Sequence, residues 1–237
     1  MNDSRWERLG LLGGVVFVLL DAAVAVVGGE PPAGAASARE ISAYFAEHAA
    51  GLEAGLWLFG IAAVALIWWS GSVWRWMVRA EGGSARLAVV SLIGLVLAGA
   101  LSLAASAVWA AMALHIDAVG SSAPFAYALG ALMLAASGFG VATHILATSV
   151  AGWRARALPA WVVGCGGLSA AAFIVSGVLT ATSTGEAAKT VGLAGFVLWC
   201  LWILGVSVRL WRDTPVRPTV TGDAVSETPP GALAHAR

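Results

Sequence analysis

The sequence predicts an all-α, polytopic membrane protein with six transmembrane helices and an extracellular amphipathic cap helix between the first and second. Three observations carry that prediction. Mean hydropathy is +0.86. Apolar residues make up 59% of the chain and charged residues only 11%. The apolar residues also come in blocks long enough to cross a bilayer, since about twenty of them span a hydrocarbon core of roughly 30 Å. Such segments must be helical, because lipid offers no partner to an open strand edge. Little sequence is left over, so residues 1–212 read as one membrane domain with no soluble catalytic module.

The first block covers about residues 9–29. Arg5 and Arg8 precede it and small residues follow, as in a signal peptide. It is too long for a signal-peptide core and carries Asp21 in its middle, so it reads as a retained helix. Glu30, Pro31 and Pro32 end it, and a Gly/Ala run follows. "SARE" then has the form of a capping box, with Ser37 capping a helix and Glu40 reaching back to it. No proline occurs between Ala38 and Pro124, so this helix is free to run on into the second span. Within the cap, residues 38–51, Ile41, Tyr44, Phe45 and His48 line up with Leu52 as one apolar stripe. Glu40 and Glu47 share the opposite, wetter face. The segment is therefore expected to lie on the bundle or on the membrane surface. The remaining spans are about 52–74, 87–115, 125–150, 159–181 and 191–211. The tail, residues 213–237, is proline-rich and aperiodic and is expected to be disordered.

Orientation follows from charge. Six spans put both termini on one side, and that side collects 11 of the 13 basic residues. Only Arg39 and Lys189 fall opposite. The positive-inside rule therefore places both termini in the cytoplasm and the cap outside. Trp6, Trp68, Trp69, Trp74, Trp76, Trp153, Trp161 and Trp211 cluster at the same ends, as headgroup-level anchors do. Arginine outnumbers lysine twelve to one, and with the Ala and Gly richness this points to a GC-rich bacterial genome, hence a bacterial inner (plasma) membrane.

Candidate functional residues gather in the outer half. Asp21 shares a helix face with Gly10, Gly14, Ala25 and Gly28, a small-residue stripe that lets helices approach closely. It is thus expected to face protein. An ionisable side chain at that depth costs several kcal/mol unless it is paired or protonated. It is either functional or a neutral hydrogen-bonding glue. His48 sits in the apolar stripe of the cap, where it is either a structural hydrogen bonder or a proton acceptor or ligand, since histidine titrates near neutral pH. Glu53 and His115 lie at the outer ends of their spans, and Asp117 follows His115 in the loop. The ligand-binding set is Asp21, Tyr44, His48, Glu53 and His115, and the catalytic candidates are Asp21 and Glu53.

Several classes are disfavoured. No HExxH, CxxC or EF-hand spacing occurs, and no metal or other cofactor is expected. Cys165 and Cys200 lie in predicted helices without a disulfide framework. His144 falls near the cytoplasmic end of its span, most of a membrane away from His115 at 1.5 Å per residue. The two cannot ligate one haem. The Gly-rich "GCGG" follows no strand and precedes no GK[ST], so it packs helices and binds no nucleotide. The short Arg-rich loops are explained by topology, so no nucleic-acid partner is expected.

At "EPPAGAASAREISAYFAEHAAGL", followed by an apolar helix and an Arg-rich turn, the chain resembles a broad group of small actinobacterial-type membrane proteins of unknown function. The resemblance implies a six-helix bundle and no activity. The leading functional expectation is an outward-facing polar pocket around Asp21 that binds a small or lipid-like ligand, in a permease, sensor or accessory subunit. The alternatives are a membrane-embedded enzyme using Asp21 or Glu53 as general acid on an apolar substrate, as cyclases do, and a structural or interaction protein. Membrane lipid is an expected partner. A permease this small needs a second copy or an inverted repeat, and no convincing repeat is legible, which leaves a homo-oligomer open.

Overall fold

The computed structural model describes residues 3–32, 36–181 and 185–213. Its elements are α1 (Asp3–Val27), α2 (Ala38–Glu47), α3 (Ala49–Ala80), α4 (Arg86–Leu114), α5 (Ile116–Val119), a 3-10 turn (Gly120–Ser122), α6 (Ala123–Arg154), α7 (Ala160–Ala181) and α8 (Gly185–Asp213). Among the described residues every regular element is helical. Six helices, α1, α3, α4, α6, α7 and α8, are long and apolar enough to cross a membrane. The tail expected to be disordered lies, from residue 214 onward, outside the described residues.

The helices outrun most of the apolar blocks because a block marks only the hydrocarbon layer, whereas backbone hydrogen bonding continues into the headgroup layer. Where α3 ends, the Glu81 carboxylate accepts from Leu87 N and Ala88 N at 2.8 Å each, satisfying first-turn donors of α4. The Arg-rich turn between them is thereby tight. At the other end, α1 stops at Val27, before the prolines, and Gly29 takes a left-handed φ of 66° that leads the chain out of the helix.

The capping box forms as its spacing predicts. Ser37 Oγ accepts from Glu40 N at 3.3 Å, and Ser37 N donates to Glu40 Oε2 at 2.7 Å. α2 does not continue smoothly into the second span. His48, at φ −104° and ψ 14°, separates it from α3. That bend lets α2 fold over the bundle end. Ile41 and Phe45 are then buried against Met112 and Ala113 of α4 and Ala123 and Tyr127 of α6. Glu40 and Glu47 stay exposed on the far face.

The spanning helices form a closed ring in the order α1, α3, α4, α6, α7, α8, with α8 returning to α1. In lipid no hydrophobic force drives helices together, so close van der Waals packing and interhelical hydrogen bonds must do it. Gly94 and Gly140 show how. A Cβ built on either would sit 2.7 or 2.6 Å from the other's carbonyl oxygen, so α4 and α6 touch backbone to backbone. The ring's centre is filled by Phe17, Trp69, Met77, Ile145, Trp202, Ile203 and Val206, each at most 2% exposed. Trp69 therefore belongs to the core and not to the headgroup belt. Its neighbour Trp68 is 59% exposed and stacks on Trp6.

Candidate functional site

The five outer residues separate into four places. Tyr44 and His48 come together at the junction of α2 and α3, where their rings stack at 4.6 Å. Both are engaged by the fold. The Tyr44 hydroxyl donates to Gly28 O at 2.6 Å, and His48 Nδ1 lies 3.0 Å from Tyr44 O. The His48 ring covers Gly29, where a Cβ would come within 2.8 Å of it. Burial pushes the Tyr44 hydroxyl above its ordinary value, as suits a neutral donor. These two side chains and two others fasten the irregular segment after α1. Tyr127 OH donates to Pro32 O at 2.6 Å, and Lys189 Nζ reaches Glu30 Oε1 at 3.3 Å and Pro31 O at 3.4 Å.

Glu53 and His115 are exposed, at the start of α3 and the end of α4, and Asp117 is exposed in α5. Asp21 lies two helical turns below Gly28, about 10 Å deeper than the carbonyl that Tyr44 reaches. It is half-buried and close enough to Cys200 of α8 to interact electrostatically. Asp21 has no hydrogen bond or ion pair to any described residue. Of its expected stripe, Gly10 and Gly14 do make close approaches, to Ser72 and Trp68 and to Trp69 and Ile203, whereas Ala25 is exposed. The fold thus brings Tyr44 and His48 together, and among the described residues no hydrogen bond, ion pair or ring contact joins Asp21, Glu53 or His115 to them or to one another.

A second polar cluster occupies the core of the other half, and the reading of the sequence did not assemble it. His144 is 1% exposed. Its Nδ1 lies 2.8 Å from Ser91 Oγ, which is 3.0 Å from Thr148 Oγ1. Trp69 and Trp202 meet the imidazole edge-on, with centroids 5.8 and 5.6 Å away. Each indole is itself held, Trp69 Nε1 donating to Ser207 Oγ at 2.8 Å and Trp202 Nε1 to Ser149 Oγ at 3.1 Å. Position explains the pairing of α4 and α6: the Gly94–Gly140 crossing lies one turn from both Ser91 and His144 and brings them within reach. His144 Nε2 is buried and has no hydrogen-bond partner among the described residues. Ser91 and His144 also line a cavity of about 10 Å³, near the lower limit for one water. His144 and Thr148, spaced i, i+4 in an apolar span, were the legible part of this cluster.

A larger cavity, about 180 Å³, opens between α1, α3 and α8 at the Arg-rich end. Neither cavity is lined by any of the five outer residues. Among the described residues no three His, Cys, Asp or Glu side chains converge so as to hold a metal ion. Fold and surface together define a multi-pass membrane protein. No protein-family model, curated protein or solved structure matches the chain.

Proposed function

We propose that this chain is a bacterial inner-membrane protein, with both termini cytoplasmic and α2 outside, that binds a small or lipid-like ligand at Asp21 as a sensor or accessory subunit. The observation that supports the reading is the isolation of Asp21, a half-buried carboxyl in the middle of α1 with no hydrogen-bond or ion-pair partner among the described residues. An ionisable group at that depth is costly unless something pairs with it. A ligand carrying a cation or a hydrogen-bond donor on an apolar body would supply what the position lacks. The enzyme alternative is weaker, because a reaction needs at least two convergent polar groups, and Glu53, Tyr44 and His48 are exposed or already engaged. The permease alternative lacks a legible repeat. The orientation rests on the arginine distribution. Cysteines placed at Ala36 and Gly83 test it: an impermeant thiol reagent applied to intact cells should label the first and spare the second.

The site is tested with Asp21→Asn, which keeps the size and most of the hydrogen bonding of the side chain. In lipid nanodiscs doped with a long-chain primary amine, the wild-type protein should melt higher than in nanodiscs doped with the matching alcohol. The variant should lose that difference while keeping its melting temperature without additive. Equal responses from the two proteins would remove Asp21 as a ligand site. A second reading is favoured by the exposure of Ala22, Ala25 and Val26 beside Asp21, a flank that a partner helix would also fit. In that case Asp21→Asn changes the oligomeric mass in nanodiscs and leaves the amine response untouched.

A further inference from the structure

The cavity at the Arg-rich end is built unlike the rest of the bundle surface. Its floor is apolar, formed by Leu11 of α1 and Leu210 of α8, both almost wholly buried. Its rim is charged with both signs: Glu7 from α1, Arg79 from α3 and Asp213 from α8, with Ser72 between. Glu7 is a fixed point, only 11% exposed in its side chain. It receives Arg75 Nε at 3.3 Å and the two terminal nitrogens of Arg79 at 3.1 and 3.3 Å. Ser72 Oγ donates to Glu7 O at 3.1 Å, which ties α1 to α3 here. Asp213 is exposed and receives Arg209 on the same helix. The Arg79 side chain is 60% exposed, and a guanidinium has five donors, so it has donors left to turn outward.

Depth sets what this cavity meets. Trp6 and Trp68 stack on each other beside it, and Arg8 lies 5.4 Å from the ring centroid of Trp211. Aromatic rings and cations at a bundle end mark the boundary between hydrocarbon and headgroups. The floor therefore faces acyl chain and the rim faces headgroup. A volume of about 180 Å³ is below the range of about 300–1,000 Å³ of drug-sized sites. The occupant needs an anionic group for Arg79, a cation able to donate hydrogen bonds for Glu7 and Asp213, and an apolar continuation over Leu11 and Leu210.

We propose that this cavity binds the headgroup of a phosphoethanolamine lipid, with its phosphate on Arg79, its primary ammonium between Glu7 and Asp213, and its glycerol end toward the apolar floor. Basic pockets between spanning helices bind anionic headgroups, but here two carboxylates share the rim. A purely anionic headgroup offers no cationic donor to the acceptor positions that Arg75, Arg79 and Arg209 leave open on them. A quaternary choline has no proton to donate to them. The primary ammonium satisfies both requirements. This site is separate from Asp21 and does not depend on how that residue is read.

The test is native mass spectrometry of the full-length, delipidated protein, titrated with phosphatidylethanolamine, phosphatidylcholine and phosphatidylglycerol of matched acyl chains. The ethanolamine lipid should be retained about tenfold more than either of the others, the ratio expected from about one charge-assisted contact. Arg79→Gln and Asp213→Asn, both on exposed side chains, should each bring its retention down to the choline level without lowering the melting temperature. Glu47→Gln, at the opposite end, should leave it unchanged. Free phosphoethanolamine at the same concentration should not displace the lipid, because the apolar floor contributes nothing to it. Equal retention of the three lipids, a preference for phosphatidylglycerol, or indifference to both rim variants would overturn the proposal. Displacement by the free headgroup would overturn the lipid as its source.

Discussion

At the cap end of the bundle, Tyr44, Tyr127 and Lys189 each donate to a backbone carbonyl of residues 28–32. In the other half, Ser91, His144, Thr148, Trp69, Ser207, Trp202 and Ser149 bond side chain to side chain between helices. The difference follows from what the local backbone lacks. The segment after α1 is irregular, and its carbonyls have no helical partner, so side chains must complete them. The α4–α6 crossing has both backbones satisfied within their helices, which leaves its polar side chains free to specify which helix meets which. At the cap end Tyr44, Tyr127 and Lys189 therefore hold a loop, while Glu53, His115 and Asp117 stay exposed. The inner polar residues, bonded from helix to helix, define the ring.

The sharpest way to break that comparison is at the crossing itself. In Gly140→Val the new Cβ would meet Gly94 O at 2.6 Å and Ala98 N at 2.9 Å, and neither is a flexible side-chain end. α4 and α6 must part, which also withdraws Ser91 from His144. Overpacking of this kind costs about 1–3 kcal/mol and occasionally more. With about 2–4 °C of melting temperature per kcal/mol for a chain of this size, a drop of several degrees is expected. It can be followed by reaction of Cys165 and Cys200, both partly buried, with a thiol dye on heating. An unchanged melting curve would mean that the close crossing does not hold the ring.

A smaller effect is expected at the cap. Tyr127→Phe removes the donor to Pro32 O and keeps the ring that packs on Phe45 at 6.1 Å. One such bond contributes about 1 kcal/mol. Because it fastens a peripheral segment, the loss should appear as faster hydrogen exchange in α2 and not in α4 or α6. Equal acceleration in all three would mean that cap and ring unfold as one unit, and the contrast between the two ends would fail.

Legibility of the sequence divides along the same line. The six spans could be read because each is a run of apolar residues, and the capping box because Ser37 and Glu40 are three residues apart. Both are local. The His144 cluster was not assembled because its pairs are far apart in sequence: Ser91 and His144 are separated by 53 residues and Trp69 and Ser207 by 138. They meet only once the ring order is known. Trp69 shows the same limit at the scale of one residue. Next to Trp68 it looks like a second anchor, but about 100° of helical rotation separates the two. That rotation turns one ring to lipid and the other to the core. Tyr44 and His48 were correctly placed on the stripe, yet the bond from Tyr44 to Gly28 depends on α1 ending where it does, which periodicity alone does not set.

The smallest expected effect concerns Glu40 and pH, and it tests whether the cap end answers to solvent while the ring does not. The Ser37 backbone N–H and hydroxyl both donate to the Glu40 carboxylate and hold its pKa below the usual 4.5. A folded-state value lowered in this way means that the interaction contributes stability above the unfolded-state pKa. That contribution is lost as pH falls through the folded-state value. It is therefore complete at neutral pH and disappears only in acid. Glu40 is fully exposed, so the change should be local fraying of the first turn of α2 and not a shift in global melting. Hydrogen exchange at the amides of Glu40 and Ile41, corrected for intrinsic rate, should show less protection at about pH 3 than at pH 7, bracketing the ordinary glutamate value. Glu40→Gln retains an acceptor without the charge, so its protection should be lower than wild type at pH 7 and should not change on acidification. Ring amides of α7 such as those of Val162 and Ala170 should be insensitive in both proteins, because no titrating group in α2 touches them and α7 carries no carboxylate or histidine. If acid loosened those amides in parallel with α2, the two ends would not be separable, and the cap would have to be counted as part of the bundle's core.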